Sequence, residues 1–403
     1  MVKEKVSLKD YWRAFLELLT NRNYLLLILI SVFQNFALTI GKAPLVPFAM
    51  TMGIAAPVAG AMNGTYYLLV CIIRPFTGIA QDKINKKVML ILSLFVKVIG
   101  FVMIAFSHDY ATYFAGRMVD AVSFSLITTV FMSTTSLFVD RKTMGIGVGL
   151  FSGIPTLIVS AVPTLAMFVF NSHGGKYVYL LGAAALVIGI ILVLFLKFPK
   201  QEKPAVRKKF SINDVIYLPA IPACMLNFFL AMLLTICDTY LVVMATERGI
   251  AGAEIYLTIK SLVNVVAGLG LGGLSDIIGS KKILVSACVA TAVASVLYGC
   301  AQSLLVIIIA SVIYAVFQRG TVPVLIKAAA ESAPPERRGA AVSTNYFIQD
   351  LAGVFGGYIA AFFGMMLGYA GAFYASAALP IIGMFIYLFV QKKKEKKDAE
   401  QAA

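Results

Sequence analysis

The sequence predicts an all-α membrane protein, with twelve spanning helices arranged as two six-helix bundles. Three observations predict it. Of the 403 residues, 60% are hydrophobic and 13% charged, about half the roughly 25% charge of a soluble domain, and mean hydropathy is +0.89. The apolar residues fall in continuous runs of about 20, the length that crosses a bilayer as a helix, not in the alternating pattern of a membrane barrel. One short basic pattern also occurs twice, 194 positions apart, each time joining two apolar runs.

The elements follow in order. Residues 1–23 form an amphipathic arm with Lys3, Lys5, Lys9, Arg13 and Arg22. The arm has no apolar core ahead of a small-residue cleavage site, so it is expected to lie along the inner membrane surface rather than act as a leader. The first bundle occupies 24–197, with spans at about 24–48, 59–80, 88–107, 110–138, 145–170 and 176–197. A polar linker at 198–216 carries two prolines and Lys200, Lys203, Arg207, Lys208 and Lys209. The second bundle occupies 217–390, with spans at about 217–245, 251–274, 282–302, 304–330, 340–366 and 368–390. A basic tail at 391–403 holds Lys392, Lys393, Lys394, Lys396 and Lys397.

An even number of spans puts both ends on one side. The loops on that side add Lys83, Lys86, Lys87, Arg141, Lys142, Lys281, Lys282, Arg337 and Arg338, whereas the opposite loops hold Lys176 and Arg248. This asymmetry predicts cytoplasmic termini in a multi-pass protein of the plasma membrane. The net charge of +15 is therefore a topology signal, and no nucleic-acid partner is expected. Cys71, Cys224, Cys237, Cys288 and Cys300 lie in apolar segments without metal-ligand spacing and serve as small packing residues. No nucleotide fingerprint, phosphate loop or catalytic-triad spacing occurs, so neither an enzyme nor a metal or other cofactor is expected.

The repeated pattern first runs Gly78-Ile79-Ala80-Gln81-Asp82-Lys83-Ile84-Asn85-Lys86-Lys87. It returns as Gly272-Gly273-Leu274-Ser275-Asp276-Ile277-Ile278-Gly279-Ser280-Lys281-Lys282. Each copy follows the second span of its half. Val139-Asp140-Arg141-Lys142 after span four likewise matches Pro335-Glu336-Arg337-Arg338 after span ten. Two such repeats, with a site at mid-membrane, are a transporter architecture.

On these residues the chain resembles the major facilitator superfamily, whose loop after the second span runs approximately Gly-x-x-x-Asp-Arg-x-Gly-Arg-Lys. Gly78, Asp82, Lys83, Lys86 and Lys87 match, and Asn85 stands for the second glycine, a residue that tolerates left-handed backbone. The second copy keeps Gly272, Asp276, Gly279, Lys281 and Lys282. The resemblance covers nearly the whole chain and is specific for the superfamily but poor for the substrate. It implies the superfamily fold and a latch that holds the two halves outward-open, built from Gly78, Asp82, Lys86, Lys87, Arg141, Gly272 and Asp276. In that latch Asp82 pairs with basic groups such as Arg141 and touches the start of span eleven. In span four, Arg117 matches a family Arg-x-x-x-Gly pattern while Ala121 replaces its glycine. A Gly-Pro-rich pattern of family drug antiporters is matched only in part, by Gly149, Gly153, Pro155 and Pro163 in span five.

Charged groups inside spans are expensive and point to function. The resemblance places spans one, four, seven and ten around the cavity, with two, five, eight and eleven beside them. On that basis the candidates for substrate binding and coupling are Lys42, Arg117, Asp120, Asp238, Lys260, Arg319 and Asp350, with the amide of Gln34 in span one. Arg117 and Asp120 are three residues apart and can pair on one helix face. Asp238 and Lys260 fall in the outer halves of neighbouring spans and can also pair. Lys97 lies in span three, which the family places at the lipid-facing periphery, and receives no role. Four cations face three acids, a balance that favours an anionic or carboxylate-bearing substrate gripped by Arg319 and Arg117. His108 and His173 fall in outer loops. A coupling proton would therefore ride on a carboxylate, with Asp350, Asp120 and Asp238 as candidates in that order.

The resemblance thus implies a monomeric secondary active transporter working by alternating access. The expected partners are a small-molecule substrate, a proton and the bilayer. A small organic anion moved by proton symport or exchange is the favoured cargo, and proton-coupled drug efflux is the alternative. A non-transporting sensor on the same fold would usually carry a further soluble domain or a long tail.

Overall fold

The computed structural model describes residues 18, 20–139, 144–198, 217–263, 266–267, 279–319, 321–334 and 337–402, and no strand occurs among them. Helix α1 (Arg22–Ile40) begins on Asn21, whose side chain accepts from the amides of Asn23 and Tyr24. That bond satisfies donors a helix start leaves open. Turns at 41–44 separate α1 from α2 (Leu45–Thr51). There follow α3 (Ala56–Lys83), α4 (Lys86–Ala105), α5 (Tyr110–Phe138), α6 (Met144–Ile158), α7 (Val162–His173) and α8 (Gly175–Phe195). Helix α5 is closed by a reciprocal cap between Asp109 and Thr112. The Thr112 amide and hydroxyl both donate to the Asp109 carboxyl and hold it below the usual carboxylate range.

The second half contains α9 (Ile221–Glu247), helical residues at 255–263, α10 (Ser280–Gly299) and α11 (Leu304–Tyr314). A π-helical turn, Ala315–Arg319, leads on to α12 (Val322–Glu331). The last helices are α13 (Arg338–Ser376), interrupted at Gly368 with φ 68°, and α14 (Ala378–Ala402). Among the described residues, eight helical stretches are long and apolar enough to cross a membrane.

Three expected spans are not continuous. Span one breaks at 41–44, span five at 159–161, and span ten changes from α- to π-helical at 315–319. Each break sits just before or at a proline: Pro44 caps α2, Pro163 opens α7 and Pro323 opens α12. Proline lacks the N–H that would continue the ladder, and its ring clashes with the preceding turn. The cassette turns also differ between the two copies. Gly279 adopts φ 89° before α10. Asn85 does not use the left-handed region expected of it, but sits at φ −55°, ψ 130° and caps α4 by accepting from the Lys87 amide at 2.8 Å.

By their contacts, the described residues within Met1–Gly41 and Ile73–Lys209 form one compact unit, and those within Lys42–Ile72 and Phe210–Ala403 form a second. In the first, α1 packs on α8, α6 and α7, and α4 packs on α5 and α8. Tyr24 Oη donates to the Gly147 carbonyl at 2.6 Å and Tyr179 Oη to the Gly41 carbonyl at 3.1 Å. These bonds satisfy buried hydroxyls where lipid offers no partner. In the second unit, α9 packs on α13, α14, α12 and α2, and α10 packs on α11, α13 and α14.

The second unit thus includes 42–72, a piece of the first sequence half. Its seam is glycine on glycine. A Cβ on Gly357 of α13 would meet the backbone N and Cα of Gly64 and the carbonyl of Gly60, both on α3. Gly60 and Gly64 are spaced i, i+4, as are Gly353 and Gly357, the spacing that lets two membrane helices approach backbone to backbone. Around this crossing, Thr65 and Tyr358 share a hydroxyl hydrogen bond at 2.9 Å, and Tyr240 Oη of α9 donates to the Ala360 carbonyl at 2.8 Å. Neither of these glycine pairs figures among the sequence expectations above, although both are visible in the sequence.

Candidate functional site

The first charge cluster grows from a helix crossing in the first unit. A Cβ on Gly100 of α4 would meet the Asp120 amide nitrogen of α5 at 2.9 Å, and one on Gly116 of α5 would meet the Ile104 amide nitrogen at 3.0 Å. This close approach brings Lys97, nearly one turn before Gly100, onto the Asp120 carboxylate. Lys97 Nζ donates to Asp120 Oδ1 at 2.5 Å and Arg117 Nη1 to Oδ2 at 3.0 Å. Ser123 Oγ donates to the Asp120 carbonyl at 2.6 Å, and Lys97 also lies over the Phe101 ring at 5.0 Å. The side chains of Lys97, Arg117 and Asp120 are only 1%, 9% and 6% exposed. Two cations thus share one carboxylate.

Arg117 and Asp120 therefore pair, as their spacing suggests, but inside the unit rather than toward open space. Lys97, given no role from sequence, completes the cluster. The assumption of a peripheral third span hid it. The signal that could have found it is the spacing, since Lys97 and Gly100 on α4 are answered by Gly116 and Asp120 on α5.

A second cluster of two cations around one carboxylate lies in the second unit. Lys260 Nζ donates to Asp238 Oδ1 at 2.9 Å, and Lys42 Nζ stands 3.9 Å from Oδ2. Tyr256 Oη donates to Oδ1 at 3.0 Å, and its ring lies under Lys260 at 5.2 Å. Asp238 and Lys260 pair as their depths suggest. Tyr256 is the member missed from sequence, although it stands one turn from Lys260 on the same helix face. Side-chain exposure rises from 9% for Lys260 to 14% for Asp238 and 36% for Lys42. Lys42 sits in the break of span one. Helix α1, which ends two residues before Lys42, is about 28 Å long at ~1.5 Å per residue, roughly the hydrocarbon thickness of a bilayer.

The other candidates are dispersed. Gln34 is buried on α1 and Asp350 on α13. On the same stretch of α13, Asn345 is buried and accepts from Asn227 Nδ2 of α9 at 3.2 Å. Arg319 ends the π-helical turn; its side chain lies outside what is described. Of the latch residues, Arg141, Gly272 and Asp276 lie outside the described residues. Gly78 and Asp82 occupy the last turns of α3, and the Asp82 side chain is likewise outside the description. Lys86 opens α4. Lys87 Nζ donates to the carbonyls of Leu194 at 2.7 Å and Leu196 at 3.3 Å, capping the end of α8, where carbonyls lack helical partners. No group of three or more metal-ligating side chains occurs among the described residues.

Comparison with known proteins places this geometry in context. The family model of the Major Facilitator Superfamily matches residues 25–259 and 223–403. The uncharacterized MFS-type transporter YhcA of Bacillus subtilis (strain 168) is 20% identical over 172 residues, a match covering 42% of this chain and 32% of YhcA. A POT family transporter solved in complex with 5-aminolevulinic acid superposes with a TM-score of 0.80 at 13% identity, covering 92% of this chain and 96% of that one. The nucleoside transporter NupG gives 0.72 at 15% identity, covering 92% and 99%. At such identities the structural likeness establishes the fold and leaves the cargo open. With the family model spanning both repeats and the helical fold agreeing with solved members, the chain belongs to the Major Facilitator Superfamily and is a multi-pass membrane transporter.

Proposed function

We propose that this transporter moves a small organic anion by alternating access, coupled to protons through symport or exchange. One observation carries the reading. The Lys42–Asp238–Lys260 cluster sets two cations beside one carboxylate, and Lys42 is the most exposed of the three. A cation that solvent can reach, at a break in a spanning helix, suits recognition of an anion. Discontinuous helices mark such sites in transporters. The π-helical turn that ends at Arg319 is a second local irregularity of the kind found at functional positions. Because His108 and His173 are exposed at helix ends, the proton is assigned to a carboxylate, Asp238 or Asp350 before the enclosed Asp120.

The protein acts as a monomer in the plasma membrane with both termini in the cytoplasm, as its basic residues favour. The cassette serves as the inner latch, with Asp82 and Arg141 as its pairing members. Counterflow in proteoliposomes tests the cargo. Liposomes loaded with a pool of small carboxylates are expected to accumulate labelled carboxylate, faster with an imposed proton gradient. Expulsion of cationic dyes without carboxylate exchange would instead establish drug efflux and reject the anion. Arg319→Lys tests the grip. It keeps the charge but loses the two-pronged guanidinium contact, so KM for the carboxylate should rise on the order of tenfold, about the 1.4 kcal/mol of a lost charge-assisted bond. An unchanged KM would remove Arg319 from the binding set.

A further inference from the structure

Helix α14 is longer than a membrane crossing requires. It runs over Ala378–Ala402, 25 residues, or about 38 Å at ~1.5 Å per residue, whereas a hydrocarbon core is about 30 Å thick. Its apolar run ends at Val390. Gln391 is followed by Lys392, Lys393, Lys394, Glu395, Lys396 and Lys397, and the acids Asp398 and Glu400 come after these. One face of the apolar part is packed. Tyr387 is buried with Leu226, Leu284 and Val324, with Met384 and Leu388 beside it, and a Cβ on Gly383 would meet the Phe229 side chain. The other face is open, with Phe385 and Phe389 64% and 72% exposed. Along it runs an open groove of about 550 Å³ lined by Phe385, Ile386, Leu388, Phe389 and Lys392, a volume in the range of ligand sites. Its wall is apolar except for the exposed ammonium of Lys392 at one end.

We propose that this face of α14 binds an anionic glycerophospholipid of the inner leaflet, with one acyl chain along Phe385 and Phe389 and the phosphate at Lys392. The helix register carries the argument. Positions 385, 389, 392 and 396 are separated by four, three and four residues, so the apolar stripe and two lysine positions share one helix face. An apolar wall that ends one turn before an ammonium has the same order as chain and phosphate along a lipid. Topology alone accounts for lysines after the last span. It does not call for a groove, or for a helix that continues unbroken and keeps the lysines in line with that groove. Clusters of lysine directly cytoplasmic of a span attract anionic lipid, each lysine adding about fivefold in affinity. A zwitterionic lipid fills the same groove, but its own cation offsets the phosphate and forfeits that gain. The site is independent of the cargo, and it uses the cytoplasmic reading of the tail only to name the leaflet.

Thermal melting of the full-length protein in detergent tests the site, because a ligand that binds the folded state raises its melting temperature. Phosphatidylglycerol is expected to act at a concentration on the order of tenfold lower than phosphatidylcholine. Lys392→Gln with Lys396→Gln should weaken phosphatidylglycerol by roughly tenfold or more, about fivefold for each charge, and leave phosphatidylcholine unchanged. Lys392→Arg with Lys396→Arg should keep the native response, which excludes damage to the fold as the cause. Phe389→Ala should weaken both lipids, since it removes chain contact without touching charge. Lys282→Gln, at the start of α10, removes an inner-side cation elsewhere and should change neither. Equal response to the two lipids, or a phosphatidylglycerol response that survives the double Gln change, overturns the site and leaves ordinary annular lipid. A shift of the same size with inorganic phosphate would make the ligand a free anion and reject the lipid. Counterflow does not enter this test, so the cargo reading can fail while the lipid site stands, and the reverse.

Discussion

Asp120→Ala is expected to cost about 3–5 kcal/mol of stability, the toll of leaving a buried partner charge uncompensated. The reason lies in the composition of the α4–α5 cluster. Lys97 and Arg117 both donate to the Asp120 carboxylate, and all three side chains are at most 9% exposed. Removing the only acid among them leaves two cations facing each other in a low-dielectric interior. Lys97→Met should behave oppositely. It deletes the surplus charge and leaves the Arg117–Asp120 pair neutral, with an apolar chain of similar length beside Phe101. A neutral replacement of a buried ion is often harmless or favourable. The comparison is made by thermal melting and monodisperse yield of the two variants in one detergent. An Asp120→Ala protein that melts with Lys97→Met, or above it, would show that the cluster is not what holds α4 on α5.

That ordering also separates what the sequence reveals from what it hides. Arg117 and Asp120 pair because i, i+3 spacing on a helix puts them together wherever the helix goes. Asp238 and Lys260 pair because counting along neighbouring spans puts them at one depth. Both are one-dimensional inferences, and the structure agrees with both. Lys97 needs a second coordinate, the rotation of α4 about its axis, which its apolar run leaves undetermined. Only the facing glycines, Gly100 and Gly116, fix it. The span breaks were written in Pro44, Pro163 and Pro323, but a hydropathy window smooths over three or four residues. The grouping of 42–72 with the second repeat is set by which helices meet in space, which composition and spacing along the chain do not encode.

Gly357→Ala is expected to have the second large effect, here on transport as much as on stability. The added methyl points at the backbone N and Cα of Gly64 and at the Gly60 carbonyl. A rotamer change can clear a side chain, but backbone on backbone leaves only separation of α3 from α13. Overpacking of this kind costs about 1–3 kcal/mol. Because the strain falls on the arrangement in which 42–72 is seated, it should bias the protein against that arrangement by roughly tenfold or more. Counterflow should fall accordingly. Two other glycines calibrate the result. A methyl on Gly353 meets the ring of Tyr67, a side chain that can swing aside, so Gly353→Ala should be milder. Gly153, on α6, has nothing within 4 Å, and Gly153→Ala should be neutral or add about 0.5–1 kcal/mol by its better helix propensity. The order Gly357, Gly353, Gly153 follows from what each methyl meets. Full transport by Gly357→Ala would mean that α3 and α13 need not touch in any state the cycle requires, and the seam would then be an incidental contact.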